Sequence, residues 1–318
     1  MKFSIIIPVY NKQHFLELTL QSVLAQKFTN YEVLIIDDGS TDDSVSVVRQ
    51  FNDARIKLIE QQNAGVSAAR NRGIKEAVAE WVCFLDADDW YHPDYLSALH
   101  AMSQEFPERD VIATRFLPMP DKADWSPIPW ILGNREYELI ENLPARWLKG
   151  IPFFTGSIAI RHNLLLSMQP WFPLGENSGE DLDLWFRLAE ETPILLLNQP
   201  LVAYRTAVAS ALSVTTHDGV NSPYLARLAL RAQFLPAELM NSSLDYITHF
   251  YITAARMAAS SSGRIGALKL LLDKWAHGIF IIRWWVSLFM VIFLPGKLIV
   301  NWQKWRKSRT HANLDNFK

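Results

Sequence analysis

Residues 80–90 read EWVCFLDADDW: an apolar run from Trp81 to Leu85 breaks off into three acids, Asp86, Asp88 and Asp89. A short run without polar alternation reads as a strand buried on both faces, the pattern of a central strand in a parallel sheet. In an open α/β sheet, ligands bind outside the carboxyl ends of the strands, so acids just past this strand face a cleft. Crowded carboxylates repel one another and are best tolerated around a cation. Hard divalent ions such as Mn²⁺ or Mg²⁺ take oxygen ligands and share them with substrate phosphates. Two readings stay open from this stretch alone, a metal-bound diphosphate site and a solvated acidic turn.

Upstream of it, apolar runs alternate with amphipathic stretches. Strands are expected at Phe3–Pro8, Tyr31–Asp37, Arg55–Glu60 and Trp81–Asp86. Helices are expected at Lys12–Gln26, Asp42–Phe51, Val66–Ala79 and Pro93–Glu105, with Asn11 and Ser40 or Thr41 as caps. This alternation argues an α/β fold with a doubly wound, mostly parallel sheet flanked by helices. Downstream, PMPDKADWSPIP (Pro118–Pro129) reads as a loop between two halves. After it come a helix at Leu139–Lys149, a strand at Thr155–Arg161, a helix at Asp181–Glu191 and a strand at Ile194–Tyr204; residues 222–274 turn strongly helical.

The 318 residues suffice for one large domain or two smaller ones. A net charge of −2 exerts no general pull toward nucleic acid, which is not expected as a partner. The single cysteine, Cys83, excludes an internal disulfide and reads as a small buried hydrophobe. The eight histidines show no metal-ligand spacing. The opening MKFSIIIPVYN is too short an apolar run for a signal peptide or a membrane span, so the fold is expected to begin there.

Four other stretches bear on the acidic turn. PVYN (Pro8–Asn11) ends the first strand and DDGSTD (Asp37–Asp42) the second, so both deliver polar groups to one sheet edge. An Asp there accepts from a base N–H or a ribose hydroxyl, or else caps an Asp-Gly turn. NAGVSAARN (Asn63–Asn71) opens the third helix, where Arg70 either points at phosphate or lies on the surface. It matches neither a Walker loop nor a dinucleotide-binding turn. GEDLDLW (Gly179–Trp185) starts a helix whose Glu180 and Asp181 either complement the macrodipole or face the cleft, one of them as a general base.

Taken in order, PVYN, DDGSTD, NAGVSAARN, DADD and GEDLDLW resemble the family 2 glycosyltransferases with the GT-A fold, over residues 1–215. The resemblance implies a nucleotide-diphosphate sugar donor, a UDP-sugar in particular, a Mn²⁺ or Mg²⁺ ion and inversion at the anomeric carbon. It puts Pro8, Tyr10, Asp37, Asp38, Arg70, Asp86 and Arg205 on the donor side, with Asp38 nearest the base. Asp88 becomes the metal ligand and Asp181 the general base, while Glu180 and Trp185 fall on the acceptor side. Asp89 is left to cap the turn before Trp90. Tyr204-Arg205 followed by Ser213 resembles a later phosphate-side element, but Thr206, Ala207 and Val208 stand where many members carry a histidine. A sugar nucleotidyltransferase, and a catalytically silent scaffold with the same fold, are the alternatives. A nucleotidyltransferase should show a basic glycine-rich loop, and Pro8–His14 does not.

A helical extension is expected over residues 216–274, and the tail 275–318 has another character. Trp284–Gly296 is an uncharged run of thirteen residues, short of the roughly 20 that span a bilayer. Tryptophans 284, 285, 302 and 305 suit a headgroup region, and Lys297, Lys304, Arg306, Lys307 and Arg309 suit an anionic leaflet. The tail reads as an interfacial or re-entrant anchor on the cytoplasmic face of the cell membrane, against a tilted span or a buried or oligomer-contact helix. The acceptor is then a glycan or a lipid-linked sugar at that surface. His311–Lys318 is expected to be a disordered end.

Overall fold

The computed structural model describes residues 2–120, 130–176, 178–206, 222–261, 263–299 and 301–302. The expected loop beyond residue 120, the positions 207, 208 and 213, the basic residues 304, 306, 307 and 309, Trp305 and the segment 311–318 lie outside them. The fold divides into two compact units, Met1–Arg146 with Gly150–His217, and Trp147–Lys149 with Asp218–Lys318.

In the first unit, β1 (Phe3–Val9), β2 (Tyr31–Asp37), β3 (Ile56–Glu60) and β4 (Trp81–Phe84) alternate with α1 (Leu16–Leu24), α2 (Ser44–Arg49) and α3 (Val66–Glu76). They lie side by side in the order β3-β2-β1-β4, all parallel. Every residue of β1, β2 and β4 is buried, which is why these strands are largely apolar, with Ser4 and Glu32 admitted as a hydrogen-bonded pair. Cys83 sits in the middle of β4, opposite Ile5 and Ala159, with no exposure and its thiol pushed far up by burial. Pro8 is tolerated inside a central strand for a local reason. It belongs with Ile6 to the set facing β4, and that ladder ends where the Leu85 N–H bonds the Ile6 carbonyl.

The chain continues through β5 (Trp90–Tyr91), α4 (Tyr95–Glu105), β6 (Val111–Pro120), β7 (Tyr137–Ile140) and α5 (Leu143–Leu148). A 3-10 turn (Thr155–Ser157), β8 (Ile158–Arg161), α6 (His162–Ser167), α7 (Glu180–Glu191) and β9 (Ile194–Thr206) follow. β8 is antiparallel to both β4 and β6, and β6 is parallel to β9. Thus β1–β4, β6 and β9 all point one way, while the short β5, β7 and β8 oppose them. The sheet is mostly parallel in direction but mixed in its pairings.

Three expected elements differ, the first being the strand expected from Thr155, whose residues Thr155–Ser157 form the 3-10 turn and leave only Ile158–Arg161 extended. Residues 118–120, read as the start of a loop, end β6 and pair with Tyr204, Arg205 and Thr206. Prolines 118 and 120 lack an N–H, but each still offers a carbonyl there. The helix expected at Leu139–Lys149 is instead β7, paired with β9 from Tyr137↔Leu197 to Ile140↔Ile194, and then the short α5. A short apolar run is ambiguous between strand and helix, and the waiting edge of β9 decides it.

The second unit contains α8 (Pro223–Ala232), α9 (Ala237–Ser261), α10 (Arg264–Leu272), α11 (Trp275–Gly278) and α12 (Ile282–Phe293). Ile252 and Ala255 of α9, Ala267 and Leu271 of α10, and Trp284 and Val291 of α12 form its core. Arg256 reaches across this packing, donating from Nε to Ser287 Oγ at 2.8 Å. On the outward side, Ile282, Trp285, Phe289 and Phe293 of α12 are exposed at helical spacing, and Phe280 just before them is 80% exposed. Among the described residues, no helix is long and apolar enough to cross a membrane.

Candidate active site

The register brings the ends of three strands level: Val9 lies opposite Asp37, and Asp37 opposite Glu60. The loops leaving β1 and β2 are stitched together above that edge. Asn11, in the left-handed region at φ 52°, donates its N–H to Ser40 Oγ and accepts from the Thr41 N–H. The Lys12 and Gln13 N–H groups bond Ser44 Oγ and Asp42 Oδ2. Asn11 therefore caps no helix; α1 starts at Leu16, and the asparagine binds loop to loop. Asp42, rather than Ser40 or Thr41, accepts from the Ser44 N–H at the start of α2.

The two acids of DDGSTD have separate roles. Asp38 spends both oxygens on the next loop, accepting from Gln61 Nε2 at 2.7 Å, the Ala64 N–H at 3.0 Å and the Gly65 N–H at 2.8 Å. Asp37 accepts from the Ser40 N–H through Oδ2, while its buried Oδ1 has no hydrogen-bond partner among the described residues. Asp38, expected nearest the base, is thus the clasp of the 61–65 loop, and Asp37 holds the uncommitted oxygen. Gly39 allows this crossing: its φ is +74°, and a Cβ there would meet the Asn63 nitrogen at 2.9 Å. Tyr10, 48% exposed, stands beside the same edge, whereas Pro8 is buried within β1.

The acidic turn is ringed by cations. Arg70, on the first turns of α3 and only 4% exposed, donates from Nη2 to Asp86 Oδ1 at 2.8 Å and from Nη1 to Glu180 Oε1 at 3.1 Å. Burial alone would lower its pKa, but Asp86, Glu180 and Asp181 outweigh that and raise it, so it stays charged. Lys12 Nζ lies 2.6 Å from Asp88 Oδ2. Arg205 has its guanidinium between the Phe15 and Trp90 rings, 4.6 Å from each centroid, and donates from Nε to the Asp88 carbonyl at 3.1 Å. It is a buried strand-end residue, not a surface one.

Asp89 does more than cap a turn. It is 1% exposed and accepts the Arg205 N–H at 2.8 Å, fixing the end of β9 to the acidic turn. Burial, then Asp88 and Asp86, push its carboxyl well above the usual range.

Gly179, in the left-handed region at φ 77°, starts α7 and presents Glu180 and Asp181 on its first turn. Glu180 is pushed up to about 7 by burial and by Asp181, with Arg70 pulling the other way. Asp181 Oδ2 accepts from Thr155 Oγ1 at 2.8 Å, and its Oδ1 accepts from the Leu182 N–H. Trp185 is a correction. It is fully buried, packed edge-on against Phe172 and near Phe84 and Phe153, and offers no face to an acceptor. Trp185 lies four residues after Asp181 on the same side of α7, but its ring is taken up by the aromatic cluster of Phe84, Phe153 and Phe172.

Among the described residues, no group of three or more His, Cys, Asp or Glu side chains is arranged to hold a metal ion unaided. The donor set nevertheless fits a hard ion shared with a diphosphate, which needs only one or two carboxylates. Asp86 and Asp88 are partly exposed oxygens one residue apart. Lys12, Thr155 and the Phe15–Trp90 clamp escaped the sequence reading. Lys12, Phe15 and Trp90 lie close to recognised motifs, whereas nothing in the sequence marks Thr155.

The model of the family described as Glycosyl transferase family 2 matches residues 4–166. Glycosyltransferase GlyA of Streptococcus pneumoniae serotype 4 is 32% identical over 227 residues, covering 68% of this chain and 32% of GlyA. An uncharacterized glycosyltransferase of Rickettsia felis is 28% identical over 257 residues, covering 72% of this chain and 38% of that protein. The uncharacterized glycosyltransferase YibD of Escherichia coli K12 is 42% identical over 106 residues, covering 33% of this chain and 31% of YibD. The chain spans about a third of the length of these curated relatives. The crystal structure of S. aureus TarS 1-349 in complex with UDP-GlcNAc superposes with a TM-score of 0.66, at 21% identity, over 94% of this chain and 83% of that one. That likeness is one of fold.

Proposed function

The chain belongs to glycosyl transferase family 2, and from that membership we propose that it moves a sugar from a UDP-sugar to a hydroxyl of a glycan or glycolipid acceptor, inverting the anomeric carbon. The observation that carries this reading is Arg70, which ties Asp86 of the acidic turn to Glu180, the neighbour of Asp181. One guanidinium thus couples a donor-diphosphate side to a base side. Tyr10 and the uncommitted Asp37 Oδ1 are assigned to the base and ribose. Solved TarS structures carry UDP-GlcNAc or UDP, which supports a nucleotide-sugar donor of this kind.

In the proposed displacement, the acceptor oxygen attacks the anomeric carbon as its proton passes to Asp181 Oδ2, and the bond from that carbon to the diphosphate oxygen breaks. Thr155 is the positioning group for Asp181. Arg205 and Arg70 face the charge that develops on the departing diphosphate, in a site where fixed cations need no reorganisation. A Mn²⁺ or Mg²⁺ ion held by Asp88, with Asp86 beside it, would neutralise diphosphate oxygens. A metal-assisted diphosphate leaving group needs no protonating acid of the glycosidase kind.

We place the enzyme on the cytoplasmic face of the cell membrane, peripheral or monotopic. Support comes from the apolar stripe of α12 and from composition. Residues 264–309 hold nine Lys or Arg and one Asp. The deciding experiment is a panel of nucleotide sugars with the full chain, scored for nucleotide diphosphate release with Mn²⁺ and with EDTA. Release from one donor, lost in EDTA and in Asp181→Asn, is expected. No release from any donor, or release indifferent to Asp181→Asn, overturns the reading.

A further inference from the structure

Lys12 occupies one carboxylate oxygen of Asp88, the residue assigned above to the ion. Its ammonium is 2.6 Å from Asp88 Oδ2, and the two side chains are 19% and 13% exposed. The backbone carrying it is fixed: its own N–H bonds Ser44 Oγ at 2.8 Å, and the flanking Asn11 and Gln13 N–H groups bond Ser40 and Asp42. What stays free to move is a four-carbon stem passing the Phe15 ring, with Nζ 5.7 Å from its centroid. The other two cations at the turn differ. Arg70 is held by two carboxylates, and Arg205 is clamped between two rings. A flexible lysine on a fixed main chain changes partner at small cost, whereas a stacked or forked arginine does not.

We propose that Lys12 is an exchangeable counter-ion: it neutralises Asp88 in the ligand-free enzyme, cedes that carboxylate to the divalent ion, and takes the donor diphosphate as its new partner. The inference rests on the metal reading given above. Its consequence is coupling. An ion arriving alone has to break the Lys12–Asp88 pair, while an ion arriving with a diphosphate gives the freed ammonium a partner. Metal and donor therefore raise one another's affinity by the same factor.

The test is Mn²⁺ binding to the full chain by titration calorimetry, with and without UDP, for wild type, Lys12→Met, Lys12→Arg and Asp88→Asn. Without UDP, Lys12→Met is expected to bind Mn²⁺ roughly tenfold tighter than wild type, since a partly buried charged pair no longer opposes it. The gain in Mn²⁺ affinity on adding UDP should shrink in the same variant. Lys12→Arg should stay as weak as wild type, and Asp88→Asn should lose tight binding in every case. Lys12→Gln replaces the methionine variant if its melting curve shows misfolding. Equal or weaker Mn²⁺ binding in the neutral variants, with wild type binding normally, overturns the Lys12 assignment alone. Absent Mn²⁺ binding in all forms, together with EDTA-indifferent turnover, overturns the metal reading and this inference with it.

Discussion

Arg70 and Glu180 are 110 positions apart and meet at 3.1 Å in a buried pair. The glutamate's carboxyl, ordinarily near 4.5, is pushed up to about 7 by burial and Asp181 against the pull of Arg70. Between those values the folded chain keeps a proton that the unfolded chain has released. This group therefore favours the fold at low pH, and its contribution is lost as pH rises through that window. Glu180→Gln should flatten the fall in melting temperature from pH 4.5 to pH 7. An unchanged slope in melts across that range would remove the assignment.

Asp181 and Thr155 should separate by magnitude. Asp181→Asn is expected to lower kcat by about 10²–10⁴, the usual worth of a general base. Thr155→Val removes one hydrogen bond to that base and should lower kcat by about tenfold or less, leaving the donor KM unchanged. Steady-state nucleotide diphosphate release measures both. A Thr155 effect confined to KM would make it a binding residue instead.

The neighbours Asp37 and Asp38 should fail in different ways. Asp38→Ala strands three donors, from Gln61, Ala64 and Gly65, and should cost about 3 kcal/mol in urea unfolding. Asp37→Asn keeps an acceptor for the Ser40 N–H and should leave the fold nearly intact while weakening UDP binding about tenfold. Equal loss of stability in the two variants would contradict this division.

The outward stripe of α12 predicts adsorption to anionic vesicles. The full chain should float with phosphatidylserine-containing liposomes, and added salt should weaken that. Replacing Trp285 and Phe289, 52% and 57% exposed, by alanine should lower partitioning at least about tenfold without lowering the melting temperature. A chain that stays unbound at low salt would leave the stripe to another partner.

The parallel half was legible because its strands are mostly apolar runs, each followed by a polar turn, and those turns carry four of the five motifs, the fifth opening α7. β7 was not legible, since Tyr137–Ile140 becomes a strand only through the edge of β9. Among site residues, Arg70, Asp86 and Glu180 sit in recognisable motifs, and their mutual contacts follow from strand order. Lys12 and Thr155 belong to no pattern of spacing; a cation or hydroxyl there gains meaning only when distant segments converge. Trp185 misled for a related reason. It shares a side of α7 with Asp181, but its ring is taken up by Phe84, Phe153 and Phe172 from distant segments, which no local spacing announces.

Cys83 is the chain's single cysteine, enclosed in β4 between Ile5 and Ala159. Shut away from solvent, with its thiolate form strongly disfavoured, it is inert to maleimide dyes while the fold persists. This chain therefore needs no prior cysteine removal before fluorescence work. One introduced thiol, on α12 or beside Tyr10, will accept a dye against a dark background, and sudden labelling of residue 83 will report that the sheet has opened.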